Sequence, residues 1–250
     1  MIAFAENETR REVDPALQAR ITALFGTLRL VVAEHPPVAL ASSLGAEDMV
    51  LTDALLRAHL DVEIFTLDTG RLHPETLSLI EGIRERYGYQ LQVYRPDPHA
   101  VTDYAQSFGL DAIYSSVDLR LRCCHIRKVE PLQRALEGKG AWITGQRRSQ
   151  SVTRRGLPEQ EFDTEHGLWK FNPLLEWTER EVWDYIRIHD VPYNALHDQG
   201  FRSIGCAPCT RPTTAGEDVR AGRWWWEGEA TKECGLHRHA GAEQKQSGAA

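Results

Sequence analysis

The chain has 250 residues, of which 42% are hydrophobic and 26% charged, with a formal charge of −7. That is a globular composition, and its acidity excludes a general nucleic-acid binder, whose affinity rests on neutralised phosphates. No run reads as approaching the eighteen or so apolar residues of a membrane span, and the first eleven residues lack the apolar stretch of a secretory signal, so a cytoplasmic protein without membrane attachment is expected.

In chain order, Val38–Ala41 has the pattern of a buried strand and runs into a turn at Ser42-Ser43-Leu44-Gly45. Helical spacing follows, with Met49, Val50, Ala54, Leu55 and Ala58 on one face. Val62–Leu67 is a second strand ending in Asp68-Thr69-Gly70. A helix is expected from Pro74 to Tyr87, with proline in the first turn where its missing N–H costs nothing. Tyr89–Tyr94 and Ala141–Thr144 are the third and fourth strands. This alternation predicts an α/β fold built on a doubly wound, mostly parallel sheet. In such sheets ligands bind beyond the carboxyl ends of the strands, which puts the turns Ser42–Asp48 and Asp68–Arg71 on one edge. Further on, Thr178 and Glu181 form a capping box that opens a helix with Val182, Trp183, Ile186 and Ile188 on its apolar stripe. Polar residues, glycine and proline dominate from Pro192 to Thr214, and the chain from His239 onward reads as a disordered tail.

Charge is unevenly spread. Between Arg120 and Arg155 ten basic residues face only Glu130 and Glu137. A cationic stretch in an acidic chain suits a small anionic ligand held in a focused field, or simply a solvated basic face. The cysteines number five, at positions 123, 124, 206, 209 and 234. In a reducing compartment such cysteines point to metal or redox chemistry rather than to a disulfide framework.

Cys123-Cys124 and Cys206-Ala207-Pro208-Cys209 together supply four thiolates in two close pairs. They suit one Zn²⁺ or one iron–sulfur cluster. Adjacent cysteine side chains diverge, which is awkward for one ion and easier for a cube that offers a separate iron to each ligand. Spacing alone leaves both open. Arg120, Arg122, Arg127 and Lys128 surround the adjacent pair and would stabilise an anionic cluster. The fifth cysteine, Cys234, lies between Lys232 and His237 and precedes Gly235. Basic neighbours favour thiolate and glycine permits close approach, although an incidental thiol is the simpler reading of these neighbours alone. The hydroxyls, glycine and helix-start amides of Ser42–Asp48 make an anion cradle, or merely a cap; the loop lacks the Gly-Lys-Ser/Thr ending of a Walker A motif. Arg147 and Arg148, after the fourth strand, offer forked donors to phosphate or sulfate, or belong to an exposed loop. Arg220 and Arg223 lead into Trp224-Trp225-Trp226, a run suited to the core or to an oligomer contact.

Taken together, these segments resemble the assimilatory adenylylsulfate (APS) reductases, within the wider family that includes the phosphoadenylylsulfate (PAPS) reductases. The resemblance is carried by Ser-Ser-Leu-Gly-Ala-Glu-Asp at 42–48, Leu-Asp-Thr-Gly-Arg-Leu-His-Pro-Glu-Thr at 67–76, Cys-Cys-His-Ile-Arg-Lys at 123–128, and Thr-Gly-Gln-Arg-Arg-Ser-Gln-Ser at 144–151. Cys-Ala-Pro-Cys-Thr-Arg at 206–211 and the segment from Gly222 to His237 complete it. It implies an adenine nucleotide alpha hydrolase-like (Rossmann-like) fold in a single domain, with a core over 36–212, a mobile catalytic segment over 213–238, and a tail over 239–250. It also implies one [4Fe–4S] cluster per chain on Cys123, Cys124, Cys206 and Cys209, with Cys234 as the nucleophile. Substrate APS would be held by Ser42, Ser43, Gly45, Asp68, Thr69, Gly70, Lys128, Arg147, Arg148, Arg220, Arg223 and His237, and thioredoxin would be the reductant. Three rivals remain. A PAPS reductase acts on a substrate that differs by a ribose 3′-phosphate. A cluster-dependent tRNA thiolase should carry a Ser-Gly-Gly-x-Asp-Ser loop that residues 42–48 do not supply. A zinc-binding interaction module leaves Cys234 unexplained.

Overall fold

The computed structural model describes residues 14–151, 154–228 and 236. Asp14 opens helix α1 (Pro15–Glu34), its carboxylate accepting the Ala16 amide at 2.9 Å while Pro15 takes the first helical position. Leu17, Ile21, Leu24, Leu28 and Val31 recur at three- and four-residue steps and form one buried stripe. Among the described residues α1 is long and apolar enough, by length and composition only, to cross a membrane. This corrects the expectation that no run approaches that size. In the fold its stripe joins the main hydrophobic core.

Strands β1 (Val38–Ala41), β2 (Val62–Leu67), β3 (Gln92–Tyr94), β4 (Ala141–Ile143), β5 (Gln160–Asp163) and β6 (Leu168–Phe171) form one sheet in the order β3-β2-β1-β4-β6-β5. All pairings are parallel except β5 with β6. The fold is therefore the doubly wound, mostly parallel α/β sheet expected from the sequence. The third strand is shorter than expected because Tyr89 serves the sheet through its side chain: its hydroxyl accepts the Ile64 amide at 2.9 Å and donates to the Val62 carbonyl at 3.3 Å.

Helix α2 (Ala46–Arg57) follows β1 and is buried on far more than one face, from Ala46 through Leu55. A sandwiched position explains this, since α2 packs against both α1 and α7 (Glu179–His189). Its buried Asp53 accepts the hydroxyls of Tyr87 at 3.0 Å and Tyr185 at 2.6 Å, which satisfies the carboxylate. Helix α3 (Pro74–Tyr87) and the capping box of α7 stand where the sequence places them. The sequence pattern did not call out α4 (Pro98–Phe108), α5 (Val117–Cys124) and α6 (Glu130–Leu136). A single π turn, His125–Val129, joins the last two. Such turns are rare and recur at functional sites; here it directly follows Cys123 and Cys124.

Candidate active site

The connections of the sheet diverge between β1 and β4, where a doubly wound sheet opens a ligand crevice. A cleft lies there. Its floor is Ser42, Ser43, Gly45 and Asp48 after β1, Thr66, Leu67 and Thr69 at the end of β2, and Thr144 to Gln146 after β4. Lys128, Arg154, Arg202, Arg220 and Arg223 add positive charge to its walls, and Trp224 and Leu236 add apolar surface.

The turn after β1 is built around Asp48. One carboxylate oxygen accepts the Ser43 amide at 2.7 Å and the Ser43 hydroxyl at 2.6 Å; the other accepts the Gly145 amide at 3.1 Å. The donors expected to cradle a ligand anion are thus held by an internal carboxylate. Burial pushes the Asp48 carboxyl up to about 6, against the pull of the Ser43 and Gly145 donors. Leu44, between the two cleft-lining residues Ser43 and Gly45, takes a left-handed φ of 62°, a strained conformation for a side chain of its size. Gly145 is required by close approach, because a Cβ there would stand 2.3 Å from the Asp48 carboxylate.

The two adjacent arginines are placed differently from the expectation. Arg147 is 2% exposed and is committed to Glu47 at 2.8 Å, the Ser149 hydroxyl at 2.7 Å and the Trp177 carbonyl at 3.2 Å. Burial would raise the Glu47 carboxyl, but the Arg147 guanidinium beside it holds it below the usual range. Arg148 pairs with Glu176 and donates to the Leu157 carbonyl at 3.0 Å. Neither arginine lines the cleft. Asp68 and Gly70 do not line it either: Asp68 accepts Arg95 at 3.1 Å and closes its own turn onto the Gly70 amide at 3.0 Å.

A second, smaller cavity adjoins the first. Cys123, Cys124, Cys206 and Cys209 all line it, together with Arg71, Arg120, Arg127, Lys128 and Trp224. The four thiols are buried and form no disulfide. Lys128 and Trp224 line both cavities. The Thr69 hydroxyl lies 3.2 Å from the Cys206 sulfur, the Ala207 amide donates to the Arg71 carbonyl at 2.8 Å, and the Arg127 guanidinium holds the Thr69 carbonyl at 2.6 Å. The turn after β2 is therefore fastened to the cysteine loop. Burial alone would raise the Cys206 thiol, but Lys128, Thr69, Arg223 and Arg71 together bring it below its ordinary value. Burial and the neighbouring Cys206 push Cys209 up to about 11.

The donor set fits an iron–sulfur cluster. Four buried thiols face one cavity and cations surround them. A cluster offers a separate iron to each thiolate, which suits the adjacent Cys123 and Cys124.

Of the expected substrate-binding residues, Ser42, Ser43, Gly45, Thr69, Lys128, Arg220 and Arg223 share the cleft. Cys234 and His237 lie outside the described residues; Leu236, between them in sequence, lines the cleft. Asp48, Gln146, Arg154, His197 and Arg202 also line it and were not singled out from sequence. Arg154 had a signal in the basic stretch, whereas Arg202 had none. Gln146 is 4% exposed, and its side-chain oxygen has no hydrogen-bond partner among the described residues.

Residues 37–212 match the phosphoadenosine phosphosulfate reductase domain. The chain is 55% identical to the adenosine 5′-phosphosulfate reductase of Allochromatium vinosum, over 92% of this chain and 90% of that protein. It is 54% identical to the protein of the same name from Burkholderia cepacia, over 92% of each. Among solved structures, the phosphoadenylyl-sulfate reductase of Candida auris, in a phosphate complex, superposes with a TM-score of 0.66 at 28% identity, over 80% of this chain and 99% of that one. With sequence, cleft and sheet topology in agreement, this chain belongs to the phosphoadenosine phosphosulfate reductase family.

Proposed function

We propose that the chain reduces adenosine 5′-phosphosulfate to sulfite and AMP in cytoplasmic sulfate assimilation, through an S-sulfonate on Cys234 and with thioredoxin as reductant. The observation that carries this reading is the shared wall of the two cavities. Lys128 and Trp224 stand between four buried thiols and a basic cleft at the ligand edge of the sheet. The adenosine 5′-phosphosulfate reductases that match more than nine-tenths of the chain support the substrate.

The Cys234 thiolate attacks the sulfate sulfur as the bond from sulfur to the bridging phosphate oxygen breaks. AMP leaves with that oxygen and the bonding pair, and a cysteine S-sulfonate remains. A thioredoxin thiolate then attacks the Cys234 sulfur and sulfite departs with the sulfur–sulfur bonding pair. The second thioredoxin thiol resolves the mixed disulfide, so the dithiol supplies both electrons. Lys128, Arg220 and Arg223 neutralise the phosphosulfate while an anionic nucleophile approaches it. Arg223 is held for this by the Ile204 carbonyl at 3.0 Å and lies over the Trp224 ring at 4.6 Å. The unpartnered oxygen of Gln146 is an acceptor for a donor on the nucleoside. A [4Fe–4S] cluster on Cys123, Cys124, Cys206 and Cys209 would supply a fixed buried charge that orients the surrounding cations, with no part in electron transfer.

Anaerobic assays of sulfite release from APS and from PAPS, with thioredoxin, test the proposal. Rapid turnover of APS with little of PAPS is expected, and Cys234→Ser should keep the brown cluster yet release no sulfite. No sulfite from either substrate by an intact holoenzyme would overturn it.

A further inference from the structure

We infer that the short helical turn Ala112–Tyr114 is the stopper of the thiol cavity, with Ile113 as the side chain that keeps water and small reagents from the cysteine sulfurs, and Arg71 and Tyr114 as the latches that hold it down. The inference rests on the reading that the four thiols carry a [4Fe–4S] cluster, and it adds positioning residues to that site.

Ile113 lines the cavity beside the four thiols and is 1% exposed. Leu110 and Tyr114, on either side of it in sequence, are 59% and 43% exposed. The turn therefore points one aliphatic side chain inward while its flanks stand in solvent, so the cover over the sulfurs is here one side chain thick. The other walls belong to α5 with its π turn, the cysteine loop and Trp224.

Two bonds hold the turn in place, and both lead to the cysteine loop. The Tyr114 hydroxyl donates at 2.8 Å to the carbonyl of Pro208, which lies between Cys206 and Cys209. The Arg71 guanidinium, itself in the cavity wall, donates to the Leu110 carbonyl at 2.8 Å. The backbone of the same arginine reaches the loop as well, its carbonyl accepting the Ala207 amide at 2.8 Å while Leu72 pairs with Cys206. The Asp111 carboxylate lies 3.5 Å from the guanidinium but is 79% exposed, so that ion pair adds little. Fastening the stopper to the backbone that carries two of the thiols fixes its distance from the sulfurs. An apolar shell of this kind controls solvent access to a metal site.

Anaerobic iron release from the full-length holoenzyme to phenanthroline tests this, in wild type, Ile113→Ala, Tyr114→Phe and the control Leu28→Ala, with circular dichroism to check folding. Ile113→Ala should release iron at least about tenfold faster than wild type, since it leaves a cavity where the cover is thinnest. Tyr114→Phe keeps the ring and loses one hydrogen bond, so release should quicken about fivefold. Leu28, 0% exposed in the main core, is remote from the thiols, and its truncation should leave release within about twofold of wild type. Release from both Ile113→Ala and Tyr114→Phe within about twofold of wild type, or an acceleration in Leu28→Ala equal to that in Ile113→Ala, would overturn the inference and leave the cluster standing. A wild type purified anaerobically without iron would overturn the cluster as well.

Discussion

Arg120 and Glu227 meet in a doubly bonded ion pair across 107 residues of sequence, Nε to Oε1 at 2.6 Å and Nη2 to Oε2 at 2.9 Å. Their side chains are 1% and 5% exposed, and the guanidinium also lies 4.8 Å from the centre of the Trp224 ring. The pair fastens the tryptophan segment to the helix that ends in Cys123 and Cys124, so one contact holds both the apolar wall of the cleft and the thiol cavity in place.

Removing Glu227 takes away the doubly bonded partner of a buried guanidinium that otherwise has only Cys124 beside it among the groups that hold its charge, at a cost of up to about 3–5 kcal/mol. Glu227→Ala should lower the urea midpoint accordingly and reduce the iron retained on purification, with Glu227→Gln intermediate. Equal midpoints for Glu227→Ala and wild type would show that the pair contributes nothing net.

Lys128→Ala should lower kcat/KM on the order of 10²-fold, as expected for loss of a buried donor to a developing anion, and it should raise KM as well. Because Lys128 also lines the thiol cavity, the visible spectrum of the holoenzyme should shift. Lys128→Arg should recover part of the loss. An unchanged kcat/KM would make the residue merely structural.

Gly145→Ala places a methyl group 2.3 Å from the Asp48 carboxylate and 2.9 Å from the Glu47 Cβ. Both neighbours are held in buried networks, so the turn must move, at a cost of about 1–3 kcal/mol. Nucleotide affinity should fall with stability. Calorimetric binding of AMP equal to wild type would show that the two turns are not coupled.

The Asp48 carboxyl is raised from 3.8 to about 6. Its folded form therefore keeps a proton that the unfolded chain has released, and stability is lost as pH rises through that window. Two units correspond to roughly 3 kcal/mol. Asp48→Asn has no such titration, so it should gain on wild type between pH 4.5 and 7.5 by up to that order. Chemical unfolding at the two pH values checks it, and a constant difference between the two proteins would place the titration elsewhere.

Where local chemistry decides, the sequence is a sound guide. Pro74 starts α3, Thr178 and Glu181 cap α7, and the apolar runs at Val38 and Val62 are strands, because capping geometry and side-chain period are set within a few residues. The antiparallel β5–β6 hairpin was not anticipated. Its exposed Phe162 and Trp169 pack edge to face at 5.7 Å, a cross-strand contact that no local pattern declares.

The sequence by itself determined the fold class, the family, and which residue types could ligate or bind: four cysteines in two pairs, a basic stretch, and turns at the ligand edge of a parallel sheet. Only the tertiary structure decided how the charges are spent. Arg147 looks like an anion ligand until Glu47, a hundred positions earlier, claims it, and the donors of the Ser42–Asp48 turn look free until Asp48 folds back onto them. A charge acts on whatever lies within a few ångströms of it, and for buried groups those neighbours come from distant parts of the chain.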